Sequence, residues 1–354
     1  MHRCLQLAQL GQGSVAPNPM VGAVLMHEDR IIGEGYHQQF GQAHAEVNAI
    51  NAVPSADKHL ISSATLYVSL EPCAHFGKTP PCADLIIDRK IPKVVIGCRD
   101  PFFLVAGKGI EKLQAAGVDV QTGILEKECR GLNKRFFTFH TQHRPYIILK
   151  WAQTGDGKMA APSQPPPVGE ERNAPQKRLF ISNALTNRLV HKWRSEEMAI
   201  LIGTNTALLD NPELTTRLWP GSNPVRLVVD MDLRLPQSLK LFSGAVKTIV
   251  FNKWKHEDGD ISYYQVTDDV NLVHQISNAL YQLKIQSVMV EGGARLLQSF
   301  IDEGWWDEAR VITNQSLIIG EGLPASALKH HQLQNIETYE MDTIHYYLNG
   351  DTGI

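Results

Sequence analysis

The chain has 354 residues, 43% of them hydrophobic and 20% charged, with a formal net charge of −3 at pH 7; this is a globular composition with room for two domains. Neither half carries a strong basic excess and no apolar run reaches the ~20 residues that span a bilayer, which argues against nucleic-acid-binding and membrane-spanning proteins. Five cysteines without a charged-then-apolar leader favour a cytoplasmic protein with reduced thiols over a secreted disulfide framework.

The first predicted elements are a helix over residues 2–10 and two strands, Ala23 to Met26 and Arg30 to Gly33. Between the helix and the first strand, two prolines flank Asn18 and fix its backbone. The amide of Asn18 is therefore either aimed at a ligand or part of an ordinary Asn-Pro turn.

A candidate metal site follows in His44-Ala45-Glu46, Pro72-Cys73 and Pro81-Cys82. Cys73 comes after a strand with period-two alternation, residues 64–70, and Cys82 opens an apolar-periodic helix whose N-terminal dipole favours a thiolate. One imidazole and two thiolates suit zinc, and three protein ligands leave the fourth position open for water, as in catalytic sites. Each piece taken alone has a simpler explanation, a helix surface or small buried cysteines.

Glu46 lies two residues from the imidazole and is not needed as a ligand. A carboxylate in that position can take a proton from water and deliver it to a leaving amine, which is the acid/base role of glutamate in zinc deaminases. We therefore predict that Glu46 is the catalytic residue.

These residues, with the run Glu71-Pro72-Cys73-Ala74-His75-Phe76-Gly77-Lys78-Thr79-Pro80-Pro81-Cys82, resemble the deaminase half of the bifunctional riboflavin-biosynthesis deaminase–reductase family. Other cytidine and nucleic-acid deaminases place two residues between their cysteines, whereas eight stand here. The resemblance implies a cytidine-deaminase-like three-layer α/β domain over residues 1–143 that binds Zn²⁺. It also implies substrate contacts from Asn18, His75, Lys78, Thr79 and Asp100.

The rest of this domain alternates strand and helix: strand Lys93 to Cys98, helix 107–116 and strand 118–122. Such alternation predicts a mainly parallel sheet with helices on both faces. Residues Leu125 to Thr141 are expected to form one closing helix. After Asp100-Pro101 the family has Asn and Pro, and this chain has Phe102 and Phe103.

A second domain is expected from about Pro145, within residues 144–354. It opens with a buried strand, Tyr146 to Ala152, whose Lys150 needs a partner for its ammonium group. A turn follows, and then a proline-rich loop over residues 161–178. This opening resembles the family's reductase half, which is related in fold to dihydrofolate reductase.

Helix 183–194, strand 198–203 and the segment from Gly203 to Arg217 continue the resemblance. Arg194 and Arg217 are either surface charges or planar guanidinium groups that bind a phosphate monoester. The resemblance implies that the substrate contacts are Lys150, Arg194, Leu214, Arg217 and Glu291. It places Ala152, Thr206, Asp210, Gly292, Gly293, Ala294, Arg295 and Leu296 at the cofactor, NADPH.

Strands at 224–230 and 248–252, a helix near 270–283 and a strand at 287–290 lead to the Gly292-Gly293 turn. Amide donors at the start of the next helix would suit a phosphate, although two glycines also make an ordinary strand-to-helix turn. The chain has no Gly-x-Gly-x-x-Gly pattern, which argues against a Rossmann domain. Beyond about residue 320 the sequence supports no prediction.

Taken together, the resemblance implies a bifunctional enzyme that deaminates a diaminopyrimidinone ribose phosphate with zinc and then reduces its ribosyl side chain with NADPH. We expect small-molecule pyrimidine ribose-phosphate substrates, no nucleic-acid or membrane partner, and a homo-oligomer. One alternative is a nucleoside or tRNA deaminase with an unrelated tail, which the cysteine spacing disfavours. Another is a second half that is a non-catalytic binding or dimerisation module with a reductase-like fold.

Overall fold

The computed structural model describes residues 1–76, 80–102, 106–161 and 179–350. The chain divides into two compact units, one ending at Arg144 and the next beginning at Pro145. Both units are layered α/β structures, which confirms the predicted fold class. Among the described residues, no helix combines the length and apolar character needed to cross a bilayer.

The first unit is a five-stranded sheet with strand order β2-β1-β3-β4-β5. Its strands are β1 (Gly22–His27), β2 (Arg30–Tyr36), β3 (Thr65–Leu70), β4 (Lys93–Cys98) and β5 (Asp119–Thr122). Its helices are α1 (His2–Gln9), α2 (Ala45–Asn51), α3 (Cys82–Asp88), α4 (Lys108–Ala115), α5 (Glu126–Leu132) and α6 (Lys134–Gln142), with a 3-10 helix over Ser55–Ser63. Strands β3, β4 and β5 are parallel, whereas β1 and β2 form an antiparallel hairpin at the other edge.

Strand alternation separates the two faces of this sheet and so produces three layers. Ala23 and Leu25 of β1 pack in one cluster with the buried sides of α2, α3 and α4. Val24, which points to the opposite face, packs with Cys4 and Leu7 of α1. The sheet therefore lies between helices on both faces, as the alternation of elements predicts.

The single helix predicted from Leu125 to Thr141 is wrong. It is interrupted at Asn133, whose φ and ψ of −100° and 24° end α5 and begin α6. The buried Asn133 side chain accepts from the Met20 amide at 2.7 Å and donates to the Met20 carbonyl at 2.9 Å. These two bonds satisfy backbone groups of the proline-flanked segment, whose own prolines prevent a regular ladder.

The second unit contains a nine-stranded sheet with order β11-β10-β9-β8-β12-β6-β13-β16-β15 and a two-stranded sheet of β14 and β7. Its strands are β6 (Tyr146–Thr154), β7 (Lys158–Ala160), β8 (Ala199–Gly203), β9 (Val225–Val229), β10 (Thr248–Asn252), β11 (Ile261–Gln265), β12 (Ser287–Glu291), β13 (Glu308–Asn314), β14 (Leu323–Pro324), β15 (His331–Tyr339) and β16 (Asp342–Asn349). Its helices are α7 (Ala184–Glu196), α8 (Thr204–Asp210), α9 (Leu272–Gln282) and α10 (Ala294–Asp302), with a 3-10 turn at Lys240–Phe242.

The seven strands from β11 to β13 in this order run parallel. The inner strands β6, β8, β9, β10 and β12 are mostly apolar because both of their faces are covered. Ile147 and Leu149 of β6 pack on α9 and α10, whereas Tyr146 and Ile148 pack on α7 and α8.

Four strands of this sheet were not expected from the sequence: β11, β13 and the two strands of the antiparallel hairpin β15–β16. The hairpin was missed because β15 is an edge strand that is mostly exposed, so its residues lack the apolar alternation of a half-buried strand. The composition of β15 therefore reflects its exposed position at the edge of the sheet and not the strand propensity of its residues.

The Asn133 contact yields a stability prediction. Asn133→Ala should lower the unfolding free energy of the first unit by about 2–4 kcal/mol, because two buried backbone groups of Met20 lose their partners at about 1–3 kcal/mol each. Urea unfolding followed by far-UV circular dichroism measures the change. Tryptophan fluorescence is an internal control because all six tryptophans lie in the second unit, from Trp151 onward.

The matched control is Asn51→Ala, which removes an exposed amide at the end of α2. The proposed role of Asn133 is wrong if Asn133→Ala and Asn51→Ala both unfold at the wild-type urea concentration. It is also wrong if Asn133→Ala shifts the tryptophan transition of the second unit as much as the transition of the first unit.

Candidate functional site

The three predicted metal ligands come together beyond the carboxyl end of β3, the central strand of the first sheet. His44 is the residue before α2, Cys82 is the first residue of α3, and Cys73 lies in the loop that follows β3. Helix α2 follows β2 and helix α3 follows β3, and the first turns of both helices face the same point. Nδ1 of His44 lies 3.3 Å from Sγ of Cys82 and 3.6 Å from Sγ of Cys73.

These distances fit a tetrahedral zinc ion. Zn–S and Zn–N bonds of about 2.3 and 2.0 Å at a tetrahedral angle place sulfur and nitrogen about 3.6 Å apart. The three donor atoms lie within 4.8 Å of one another, the one such group found among the described residues. The residues present therefore fit the metal, with Nδ1 as the histidine donor.

The Cys73 thiol is arranged to be deprotonated. The pKa of Cys73 falls to about 4 because the Cys82 thiol and the His44 imidazole both hydrogen-bond to its sulfur. The Cys82 amide also donates to that sulfur at 3.3 Å. The neighbouring Cys73 in turn raises the pKa of Cys82, a cost that a divalent cation between the two sulfurs would remove.

Glu46 lies in the first turn of α2 with 3% of its surface exposed. Its Oε2 atom is buried and makes no hydrogen bond to any described residue. Burial raises the pKa of Glu46 to about 7, with a further contribution from Cys73. A buried carboxyl group that has one oxygen without a partner and a pKa near neutrality suits a proton carrier beside the metal.

Asn18 is held by a histidine that the site prediction missed. His37 is buried at the end of β2, and burial lowers its pKa, so the ring is neutral. Its Nδ1 donates to the Ala43 carbonyl at 3.0 Å, which leaves Nε2 to accept from Nδ2 of Asn18 at 3.1 Å. The His37 ring also meets the His44 ring edge-on at 5.5 Å. The one signal in the sequence was a histidine four residues after the predicted strand Arg30 to Gly33.

The other predicted substrate residues of this unit differ in their burial and in whether the structure describes them. Asp100 is buried after β4, and burial raises its pKa to about 7. One of its oxygens accepts from the Phe102 amide at 2.8 Å, and the Phe102 ring packs against His140. His75 is exposed in the loop after Cys73, and Lys78 and Thr79 lie outside the described residues.

A second cluster forms where β12 ends beside the middle of β6. The register pairs Lys150 with Glu291, and the Lys150 ammonium lies 3.8 Å from the carboxylate. Arg194 of α7 donates to both oxygens of the same carboxylate, from Nε at 2.8 Å and from Nη2 at 2.7 Å. Burial acts to raise the pKa of Glu291, but Arg194 and Lys150 hold it at about 2. Two cationic side chains therefore face the Glu291 carboxylate.

The segment after α8 adds to this cluster. Leu214 is buried with a φ of 52°, and the next carbonyl, of Thr215, accepts from Nη1 of Arg194 at 3.3 Å. Arg217 is more exposed, 3.6 Å from Glu213, so its guanidinium remains accessible to a ligand. Buried His191 was not predicted; burial and the charges of Arg194 and Arg217 lower its pKa to about 4.

The predicted cofactor residues gather around the glycine turn after β12. Gly292 and Gly293 have φ values of 86° and 74°, which disfavour side chains. A Cβ on Gly292 would lie 3.0 Å from Cγ2 of Thr206, so the turn packs directly on α8.

The remaining cofactor candidates flank that turn. Ala294, Arg295 and Leu296 form the first turn of α10, where no side chain caps the helix among the described residues. Asp210 lies one helical turn beyond Thr206, and Ala152 lies on β6 beside β13. An uncapped helix start next to glycines is a suitable environment for a phosphate.

Two family models match the chain. Residues 1–98 match the model "Cytidine and deoxycytidylate deaminase zinc-binding region", and residues 145–345 match "RibD C-terminal domain".

Full-length relatives match as well. "Riboflavin biosynthesis protein RibD" of Aquifex aeolicus is 41% identical over 91% of this chain and 88% of that protein. The protein of the same name from Bacillus amyloliquefaciens is 37% identical over 92% of this chain and 86% of that one. A crystal structure from Thermotoga maritima, titled a diaminohydroxyphosphoribosylaminopyrimidine deaminase/5-amino-6-(5-phosphoribosylamino)uracil reductase, is similar with a TM-score of 0.85 and 36% identity. It covers 99% of this chain and 97% of its own.

The ligand geometry predicts about one zinc per chain. Cys73→Ser and Cys82→Ser should each lose most of the metal, because serine replaces a soft thiolate ligand. Elemental analysis after dialysis measures the zinc content.

Cys129→Ser is the matched control, because Cys129 is a buried thiol outside the ligand group. Full zinc occupancy in both ligand variants would contradict the assignment.

Proposed function

The chain belongs to the RibD family of bifunctional riboflavin-biosynthesis enzymes, a zinc-dependent deaminase joined to an NADPH-dependent reductase, and we propose which of its residues carry out each step. The deaminase is assigned to residues 1–143 and the reductase to residues 144–354. The deaminase assignment rests on the group formed by His44, Cys73 and Cys82 and on the buried carboxyl group of Glu46, whose Oε2 atom makes no hydrogen bond to a described residue.

We propose that the first unit converts the 2-amino group of 2,5-diamino-6-(5-phosphoribosylamino)pyrimidin-4(3H)-one to a carbonyl oxygen. When bound by the three ligands, zinc would supply Lewis-acid activation of water. Glu46 takes one proton from the water that adds to C2 of the pyrimidine and passes it to the ring nitrogen that is double-bonded to C2. Glu46 then moves the remaining hydroxyl proton to the amine, so that the bond from C2 to the amine breaks, ammonia leaves and the carbon–oxygen double bond forms. Its pKa of about 7 lets it serve in both directions near neutral pH.

The remaining residues of this unit position the substrate. Asn18, whose amide is oriented by neutral His37, is assigned a hydrogen bond to the pyrimidine edge. Buried Asp100 is assigned a second polar contact with the substrate. His75, Lys78 and Thr79 are assigned the ribose phosphate, since a cation and hydroxyl or ring donors suit that group.

We propose that the second unit reduces the ribosyl side chain to ribityl. When bound, NADPH would supply a hydride for C1′ of the opened sugar, and one proton taken up from solvent would complete the reduction. The substrate is assigned to Lys150, Arg194, Leu214, Arg217 and Glu291, since the lysine and the two arginines offer cationic donors that suit its phosphate. The cofactor is assigned to Ala152, Thr206, Asp210 and the turn from Gly292 to Leu296, where glycine amides and a helix start can hold its phosphates.

We further propose a cytoplasmic homo-oligomer. Five free cysteines suit a reducing compartment. The edge strand β15 exposes Leu333 and Ile336 and offers unpaired backbone groups to a second copy. Sedimentation velocity tests the oligomer, and a single monomeric species at micromolar concentration would refute it.

The two activities should be separable at Glu46. Glu46→Gln keeps the ligand set but removes the group that moves protons, so deamination should fall about 10²–10⁴-fold. Zinc content should stay, and reduction of substrate that is already deaminated should be unchanged. Each activity is assayed with its own substrate.

A loss of reduction together with deamination, in protein that keeps its circular dichroism spectrum, would replace two independent sites with a shared one. Wild-type protein that releases no ammonia from the diaminopyrimidinone substrate would refute the deaminase assignment itself.

The reductase assignment predicts that Arg217→Ala raises KM for the phosphorylated substrate about tenfold to a hundredfold, and far less for the dephosphorylated one. A charge-assisted contact contributes roughly 1.5–3 kcal/mol. Arg234→Ala, which removes an exposed arginine paired with Asp232, is the control. Equal effects of Arg217→Ala on both substrates would show that this residue does not bind the phosphate.

A further inference from the structure

Glu71 has no role in the chemistry described so far, yet it is buried directly before Pro72 and the zinc ligand Cys73. Its carboxylate accepts four backbone hydrogen bonds from the segment that follows β4. Oε1 accepts from the amides of Gly109 at 3.0 Å and Ile110 at 3.3 Å. Oε2 accepts from those of Gly107 at 3.0 Å and Asp100 at 3.3 Å.

These bonds supply the cap that α4 lacks. The helix is preceded by Gly107, whose φ is 80° and which has no side chain to accept from the first-turn amides. Those amides would be unsatisfied in a buried position. The negative charge of Glu71 at this end of α4 is also favoured by the helix dipole. A residue of one loop therefore caps a helix nearly forty residues later.

The packing at Gly109 shows how closely the two segments are joined. A Cβ at this buried position would lie 2.0 Å from the carbonyl oxygen of Pro72 and 3.2 Å from Oε1 of Glu71. Real Cβ atoms do not approach backbone oxygen so closely, so this contact excludes every residue but glycine. The first turn of α4 thus rests on the peptide that leads into Cys73.

We propose that Glu71 is a positioning residue of the zinc site, an inference that rests on the proposed deaminase function. It joins the Cys73 turn to the Asp100 segment through α4, and so holds a metal ligand and a substrate residue in one frame. Cys73 is tied in turn to α3, because its carbonyl accepts from the Ala83 amide at 3.1 Å. The four bonds through Glu71 therefore define where the Cys73 sulfur stands relative to His44 and Cys82.

Glutamine is an informative replacement because it has the same shape. Each carboxylate oxygen accepts from two amides, so either orientation of a glutamine amide would turn its NH₂ group toward two N–H donors. Glu71→Gln should therefore displace the Cys73 turn while leaving all three zinc ligands in the chain.

The experiment measures zinc affinity by competition with a chelator, together with kcat and KM of deamination and the rate of reduction. Glu71→Gln should weaken zinc binding about 10- to 100-fold, the usual effect of removing a group that supports a ligand. Deamination at saturating zinc should show a lower kcat, because Asp100 is displaced as well. Reduction, and the unfolding transition reported by tryptophan, should be unchanged.

Gly109→Ala disturbs the same contact from the other side and should weaken zinc binding in the same way. It decides the question if Glu71→Gln does not fold. The matched controls are Glu128→Gln, at an exposed position of α5, and Gly131→Ala, where an added Cβ meets nothing within 4 Å. Both should keep wild-type zinc affinity.

Wild-type zinc affinity and wild-type deamination in Glu71→Gln and Gly109→Ala, with only a lower unfolding midpoint, would overturn the proposal and leave Glu71 a structural role. Because zinc affinity is measured without substrate, this outcome is distinct from a failure of the deaminase assignment. If the deaminase assignment itself failed, the wild-type protein would bind zinc and release no ammonia.

Discussion

Two sulfurs and one imidazole nitrogen lie within 4.8 Å of one another beyond the carboxyl end of β3 in the first sheet, and the rest of that unit depends on this crowding. Two thiolates so close repel each other, and a divalent cation is what makes both stable at once. The helix starts at His44 and Cys82 bring the donors together without a long loop. The buried carboxyl of Glu46 gains its raised pKa from the same enclosed environment.

The second unit brings like charges together as well, but there the charges are positive. Lys150 and Arg194 are cations removed from water, and Glu291 lies between them on the neighbouring strand. Their attraction to this carboxylate offsets part of the cost of removing the three charges from water. Lys150 and Arg194 are also the cations that we propose for binding the substrate phosphate.

The proposed deaminase site of the first unit includes irregular backbone, and a buried polar side chain supports each of two irregular stretches. Asn133 binds both polar groups of Met20 beside the Asn18 segment. Glu71 binds four amides beside the Cys73 turn. Buried backbone groups need partners, and loops cannot supply them from a regular ladder. Such supports are therefore part of the site although they touch no substrate.

The sequence by itself determined the α/β class and the family, and it predicted the zinc ligands that the structure brings together. Ligand type and the eight-residue spacing between Cys73 and Cys82 are local properties that can be read without coordinates. The family assigned from that spacing is confirmed by the RibD relatives. The break at Asn133, the contact of His37 with Asn18, and His191 beside Arg194 were decided by tertiary structure alone. The first two depend on residues far apart in the chain, and no periodicity or spacing records which distant group a buried polar side chain will bind. His191 and Arg194 lie on one helix, and what the sequence does not record is that the His191 ring is buried there.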